Sequence, residues 1–471
     1  MPFDEPNNDS RGLEYRHEEA LRSGLLAALQ QRRTSRKGKT PAARSDQAAG
    51  GYRHAIAQFD ILPAETGFGT LHVRDELLIT GRSYDGRDAR TARPGQNTYA
   101  KPYLDALGLK ASDVDCKELH GRVLRLTSPG GMDPQQLADV ARNLRARGFS
   151  ASLTHIAATA HGVIKSSPLA AQAAPADGPV PAAVAQAVGG KAVRRVRGTP
   201  AKVAIIDTGI TAERRTDGWL KTIPRKPRYI DPLSAFPFTA TDDYLDLNAG
   251  HGTFVAGLVQ QVAPDADITV YRAIDSDGIA SEVAVACEMI RAVKDGAQII
   301  NLSLGGQTHD DVPPLAIAAA LEVIGERERK TGDQVLVVAA AGNYADTRPC
   351  WPAAFRGVVS VAGLAPGMTP LPISSRGFWV TCSTIGQDLR STFVKGRLSP
   401  LVSPRATEFG PDAWALWSGT SFAAPQVTGK LAQLCQEEQL KPRAALRRLL
   451  AEGRPLPDFG QSLQILRSVT P

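Results

Sequence analysis

The sequence predicts an α/β protein, a parallel sheet with helices on both faces, preceded by a small α+β domain. Three observations predict it. Continuous apolar runs at Val203–Ile206, Ile268–Tyr271, Ile299–Leu304, Val335–Ala339 and Val358–Ala362 have the texture of strands covered on both faces. Helical periodicity lies between them, at Glu282–Lys294 and Leu315–Arg329. A strand–helix–strand pattern between Gly121 and Ile156 marks the smaller unit.

Residues 1–53 are charged and polar and read as a tail, disordered apart from a helix around Glu14–Gln31. Their cations at Arg32, Arg33, Arg36, Lys37, Lys39 and Arg44 supply part of the formal net charge of +7. Such a run is read as solvated, and nucleic acid is not expected as a partner. Residues 54–165 read as the small α+β domain. Ala55, Ala57, Phe59 and Ile61 alternate, and Leu71–Val73 and Leu77–Thr80 are short strand candidates. Val123–Leu126 reads as a strand. Asp133 then caps a helix with Pro134 at its first position and Gln136 three residues on. Leu137, Val140 and Leu144 share one face of that helix, Gly148 ends it, and Phe149, Ala151 and Leu153 alternate beyond it. His120, His155 and His161 lack a metal-ligand spacing.

Residues 166–200 form an Ala/Pro-rich linker, basic at Lys191, Arg194, Arg195 and Arg197. That basic cluster is either a processing site or a solvated linker. Residues 201–471 hold the α/β unit. Across all 471 residues, 42% hydrophobic and 22% charged composition suits a globular protein of more than one domain. No apolar run reaches the length of a membrane span, and Met1–Arg22 lacks a signal-peptide core, so a cytoplasmic location is expected, with export by a non-Sec route left open. The five cysteines, Cys116, Cys287, Cys350, Cys382 and Cys435, are odd in number and form no Cys-x-x-Cys pair, which suits reduced thiols.

Three short segments carry chemistry. Asp207 follows the Val203–Ile206 strand at its carboxyl end, where sites collect in open α/β sheets. His251 is flanked by Gly250 and Gly252 and opens an apolar helix. Ser421 follows Gly419-Thr420 and reads as the N-cap of the helix that begins at Phe422, where a positive dipole end favours a developing negative charge. Each alone has an ordinary structural explanation, as a turn cap, a core histidine or a helix cap.

Together, in the order Asp…His…Ser, the segments Ile206-Asp207-Thr208-Gly209, Gly250-His251-Gly252-Thr253 and Gly419-Thr420-Ser421-Phe422-Ala423-Ala424-Pro425 resemble the three blocks of the subtilisin (subtilase) family. Asn301–Gly306, Ala339–Asn343 and Trp351–Phe355 also look like family segments, and the resemblance covers about residues 200–435. It implies a subtilisin-like serine endopeptidase acting on protein or peptide substrates through an acyl-enzyme, with no cofactor required for the chemistry. A serine hydroxyl needs a base to attack an amide, so Ser421 is the expected nucleophile and His251 the base oriented by Asp207. The resemblance further implies Asn343 and the Ser421 N–H as oxyanion donors. It makes Gly278 and Ser303-Leu304-Gly305 the two edges that hold an extended substrate, and Ala341, Gly342 and Cys350 wall and floor of the first specificity pocket.

Phe254, Phe422 and Gln426 depart from the family pattern, and Ser383-Thr384-Ile385-Gly386 replaces its usual Ala-Pro-Gly turn. Structural calcium is common in the family, but Asp242, Asp243 and Asp246 read as a solvated acidic turn, and no metal site is assigned. Peptide ligation and a catalytically silent peptide-binding module are the alternative functions. Residues 54–165 are compatible with an intramolecular inhibitor or with a retained regulatory domain.

Overall fold

A computed structural model describes residues 59–62, 70–85, 99–159, 174–176, 198–235, 244–398 and 407–468. The expectations for the tail, for Ala55 and Ala57, for His161 and for the basic cluster at 191–197 lie outside those residues.

The N-terminal unit runs β1 (Phe59–Leu62), β2 (Thr70–Thr80), α1 (Gly81–Asp85), α2 (Lys101–Ala106), β3 (Lys110–Asp113), β4 (Val123–Thr127), α3 (Pro134–Ala146) and β5 (Ala151–Thr159). The two short strands expected at 71–80 are one. Its register against β5 shifts between His72 and Leu77, and Asp75 adopts φ 56°, so a bulge divides a continuous strand into two apolar halves. Helix α3 begins where its capping residues place it: the Asp133 carboxylate accepts the Gln135 N–H at 2.9 Å and the Gln136 N–H at 3.4 Å. Its face of Leu137, Ala141 and Leu144 packs on Leu77, Ile79, Leu126 and Leu153 of the sheet.

β6 (Ala174–Ala176) lies within the stretch expected to be a linker, and it pairs antiparallel with Trp414–Leu416. Too short to bury a core itself, it completes an edge that another part of the chain supplies.

The larger unit follows, as β7 (Lys202–Asp207), β8 (Tyr244–Leu245), α4 (His251–Val262), β9 (Asp267–Arg272), β10 (Ile279–Ser281), α5 (Glu282–Lys294), β11 (Ile299–Leu302), β12 (Leu304–Gly305), α6 (Leu315–Thr331), β13 (Leu336–Ala340), β14 (Val358–Leu364), β15 (Cys382–Ile385), β16 (Leu389–Thr392), β17 (Gly396–Leu398), β18 (Glu408–Phe409), β19 (Trp414–Trp417), α7 (Thr420–Glu437), α8 (Pro442–Leu450), β20 (Arg454–Leu456) and β21 (Gly460–Ser462). Its main sheet has the order β20-β21-β15-β14-β13-β11-β7-β9, parallel throughout except for β20. Strand alternation decides which helices cover which face. Val203 and Ile205 of β7 join the core with Phe254 of α4 and Val427 of α7, whereas Ala204 and Ile206 join the core with Val283 of α5 and Ile317 of α6.

The second of those cores does not stop at the helices. Leu78, Val114, Leu119, Val123 and Ala157 of the N-terminal unit belong to it. Ion pairs cross the same face, with Arg122 bidentate on Glu326 at 3.0 and 2.7 Å and Arg145 on Asp310 at 2.5 Å. Such solvent-facing pairs contribute about 0–1 kcal/mol each, against about 1.5–3 kcal/mol for each large apolar side chain buried. The shared apolar core therefore dominates the docking. The expected boundary at residue 165 divides the chain in sequence, but the two units are joined in packing and share a sheet.

Candidate active site

Strand β7 delivers Asp207 at its carboxyl end, and α4 begins at His251 just above it. A side chain at Gly252 would meet the Gly209 carbonyl oxygen at 2.2 Å, so glycine there is what lets the first turn of α4 settle against the strand end. His251 Nδ1 lies 2.7 Å from Asp207 Oδ1, and both residues are fully buried. With Nδ1–H donating to the carboxylate, Nε2 is the basic nitrogen of the ring. Asp207 Oδ1 also accepts the Thr208 N–H at 2.7 Å.

A second buried carboxylate holds the two loops together. Asp231 Oδ2 accepts the Thr208 hydroxyl at 2.8 Å and the Gly250 N–H at 2.9 Å, and Thr208 Oγ1 in turn accepts the Gly252 N–H at 3.1 Å. Burial pushes the Asp231 carboxyl above its ordinary range, opposed by these hydrogen bonds. Sequence reading missed Asp231, because nothing local distinguishes it from a turn aspartate.

Ser421 is the second residue of α7. The helix N-cap is Gly419, at φ 146°, which corrects the expectation that Ser421 itself caps the helix. The change has a physical basis: Gly419 makes the turn, and the serine then stands among the first N–H groups, which helix geometry leaves without intrahelical acceptors. Ser421 Oγ donates to the Ser303 carbonyl at 3.1 Å, while Ser303 Oγ donates to the Ser421 carbonyl at 2.7 Å. Around the His251 ring stand Trp417 edge-on, with centroids 5.5 Å apart, and Phe422 at 5.3 Å, with Phe254 packed behind them at 4.6 Å from Phe422. Two of the positions that depart from the family pattern, Phe254 and Phe422, thus build an apolar wall beside the imidazole.

Asn343 follows β13, and its amide is oriented by Thr420. Oδ1 accepts both the Thr420 N–H and the Thr420 hydroxyl, each at 3.0 Å, so the Nδ2 end is directed away from Thr420. Thr420 Oγ1 also accepts the Gly342 N–H at 3.1 Å. Ala341 is buried, with its N–H on the Val361 carbonyl at 2.9 Å.

The two expected substrate edges are occupied. Gly278, at φ 86°, turns the chain into β10. β5 pairs antiparallel with β10 on one side, Ala157 opposite Ala280, and with β12 on the other, Ala158 opposite Gly305 and Thr159 opposite Leu304. A side chain on Gly306 would stand 3.2 Å from the Ile156 carbonyl oxygen. Glu282, buried, fastens the same strand: Oε1 accepts the His155 N–H at 2.9 Å and Oε2 the Ala316 N–H at 2.8 Å. Asp207, His251 and Ser421 are all inaccessible in this arrangement.

Cys350 sits between the segments expected to wall the pocket. A Cβ on Gly342 would lie 2.7 Å from its Sγ, and one on Gly305 would lie 2.9 Å from it. Sequence reading missed Tyr344, whose ring would stand 3.1 Å from the same Gly342 Cβ and whose phenol oxygen takes a hydrogen bond from the Gln307 backbone. Burial, with Cys350 beside it, pushes the Tyr344 hydroxyl well above the usual tyrosine range.

Residues 198–454, more than half of the chain, match the profile of the subtilase family, Peptidase_S8. The chain belongs to the subtilase family. It is 29% identical over 250 residues to the thermostable alkaline protease of Halalkalibacterium halodurans, a match covering 51% of this chain and 58% of that one. Thermitase of Thermoactinomyces vulgaris is 28% identical over 256 residues, covering 51% of this chain and 76% of its own. Among solved structures, fervidolysin from Fervidobacterium pennivorans, a keratinolytic enzyme related to subtilisin, superposes with a TM-score of 0.56 at 19% identity over 87% of this chain and 62% of that one. That superposition shows the same α/β fold.

In this subtilase the segment Ser383–Gly386, which lacks the usual turn, is strand β15 and its exit. The Gly386 carbonyl accepts the Gly419 N–H at 2.6 Å, and a side chain on Gly386 would meet the Gly419 oxygen at 2.9 Å, so the strand end braces the turn before Ser421. Gln426 ties α7 to its surroundings, its amide N–H groups reaching the Ile385 and Phe422 carbonyls at 2.7 and 2.8 Å. Of the carboxylates weighed for calcium, Asp242 and Asp243 lie outside the described residues. Asp246 is buried, accepting the Ala235 N–H at 2.7 Å and the Ser276 hydroxyl. Among the described residues, no helix is long and apolar enough to cross a membrane.

Proposed function

We propose that this subtilase is a serine endopeptidase whose own N-terminal unit lies in the cleft as a substrate mimic. The observation that carries the reading is β5. It is an extended strand held by its backbone between Ile279–Ser281 and Leu304–Gly305, running toward Ser303, whose carbonyl takes the Ser421 hydroxyl. A site built to add a strand between two edges recognises peptide backbone whatever the side chains.

The chemistry follows from the groups present. Turning about χ1, Ser421 Oγ leaves the Ser303 carbonyl and points at His251 Nε2. It attacks the acyl carbon as its proton passes to that nitrogen. Asp207, on Nδ1, fixes the tautomer and stabilises the imidazolium. Negative charge on the former carbonyl oxygen is met by Asn343 Nδ2–H and the Ser421 N–H. Collapse expels the amine, which takes the proton from His251, and water then releases the acyl group by the same route in reverse. The aromatic wall of Trp417 and Phe422 limits water around the ring, which strengthens each of these interactions.

Incubating the full chain tests the reading. A new N-terminus is expected among the few residues after Thr159, together with rising hydrolysis of an added peptide, both followed by mass spectrometry. Full hydrolysis by a chain that stays uncut, or is cut only elsewhere, would contradict β5 as a substrate mimic.

The pocket reading can be tested separately. With Cys350 standing between Gly305 and Gly342, and Tyr344 against Gly342, small apolar side chains are favoured before the cleaved bond and aromatics disfavoured. Cys350→Gly and Tyr344→Ala are each expected to raise kcat/KM for Phe relative to Ala at that position. The change should be graded, about 1–3 kcal/mol per methylene-sized change of pocket. An unchanged ratio across matched peptides would remove both residues from the pocket.

A further inference from the structure

Outside the cleft, the two units also meet through sulfur. Cys116 precedes a short turn at Lys117–Leu119 in the N-terminal unit, and Cys287 lies on α5 of the larger one. With Glu118 they form a group in which both Sγ atoms and a carboxylate oxygen lie within 4.8 Å of one another. Cys116 Sγ stands 3.6 Å from Glu118 Oε2. Both cysteines are buried, in the core that also holds Leu119, Val283 and Ile290, and the proposed chemistry at Ser421 uses neither.

We propose that Cys116, Glu118 and Cys287 bind a thiophilic divalent cation, such as Zn²⁺, that cross-links the N-terminal unit to the peptidase unit. Zinc bonds of about 2.3 Å to sulfur and about 2.0–2.2 Å to carboxylate oxygen put tetrahedral ligand atoms about 3.5–3.8 Å apart. The 3.6 Å separation already has that value. A disulfide would need the sulfurs at about 2 Å and would give the carboxylate nothing to do. The charges also balance. Two thiolates and a carboxylate sum to three negative charges, which a divalent cation and the Lys294 ammonium neutralise. Lys294 already holds the other carboxylate oxygen, Oε1, as an outer partner that orients a ligand. Binding releases the two thiol protons to solvent and changes no oxidation state. The fourth position falls to water, because the Glu118 side chain is 28% exposed at the rim of the interface. Since the ligands come from both units, the cation favours the docked state by mass action.

The test uses the full-length Ser421→Ala chain, so the readout does not depend on whether Ser421 is catalytic. After dialysis against Zn²⁺ alone, metal analysis should find about one zinc per chain that is lost in Cys116→Ser and in Cys287→Ser and retained in Cys435→Ser. Lys294→Ala should weaken binding about 10–100-fold in chelator competition. Should the cysteine variants fail to fold, alkylation of the unmutated cysteines decides: Zn²⁺ should protect Cys116 and Cys287 while Cys435 still reacts. No bound zinc, zinc retained equally in both serine variants, no protection, or a Cys116–Cys287 disulfide found by mass would each overturn the proposal.

Discussion

Ser421→Ala is expected to abolish peptide hydrolysis, a fall in turnover on the order of a millionfold, the scale known for the serine of subtilisin itself. Several features of the site carry this expectation, not one residue type at one position. The Ser421 hydroxyl sits at the start of α7, clamped reciprocally to Ser303, and His251, whose ring packs on the neighbouring Phe422, is held by Asp207 at 2.7 Å in a buried, aromatic-walled setting. Hydrogen in place of the hydroxyl removes the nucleophile and one hydrogen bond, so the fold should survive and the thermal transition move little. The variant should also remain a single uncut chain. Hydrolysis at the wild-type rate from a clean preparation would end the assignment of Ser421 as nucleophile.

Asn343→Ala comes second, with a fall in kcat of about 100- to 1,000-fold and little change in KM. The subtilisin asparagine is the reference for that magnitude. Here the amide oxygen is taken up by Thr420, so the donor end is set in place before charge develops. A donor preorganised in this way acts mainly on the transition state, which is why kcat should carry the loss. Should KM rise with kcat unchanged, Asn343 would be a ground-state binding residue. Thr420→Val offers a companion measurement, since it removes one of the two hydrogen bonds that orient the amide, the hydroxyl's, and keeps the backbone N–H and the amide itself.

The parts of this molecule legible in its sequence are those where physics acts locally. Val203–Ile206 reads as a strand because a parallel strand covered on both faces must be apolar throughout. Asp133-Pro134 marks the start of α3 because capping is decided within four residues. Asp207, His251 and Ser421 each have an ordinary structural explanation alone, and it is the resemblance of their ordered segments to the subtilase family that singles them out; the close approach of Gly252 to Gly209 shows why a glycine follows the histidine. What was not legible depends on groups far apart in the chain. Glu282 reads as the first residue of a helix, yet it fastens β5 to the start of α6. Asp231 reads as a turn residue, yet it links the loops that bear Asp207 and His251. Asp75 takes a positive φ that lets its carboxylate accept the Met132 N–H at 2.8 Å, a partner no local pattern announces. Ala174–Ala176 becomes a strand because β19 has an edge to offer. Cys116 and Cys287 are too widely spaced in sequence to suggest a pair.

On the proposed reading, the N-terminal unit holds the chain inactive until it leaves. Docking rests on the apolar core that Leu78, Leu119 and Val123 share with α5 and α6. Cutting the chain after β5 would leave this core intact, so the freed N-terminal unit is expected to dissociate slowly and inhibit until it does.

That Ser421 is a nucleophile activated by His251 is tested by fluorophosphonate labelling with peptide mapping. The N-terminal unit is first cut off and shed, by the wild-type chain itself and, for the inactive variants, by a tagged wild-type chain that is then removed. One adduct is expected, on Ser421, absent in Ser421→Ala and strongly slowed in His251→Ala. A cleanly folded, processed chain that takes no label, labels a different serine, or labels Ser421 equally fast without His251 would contradict it.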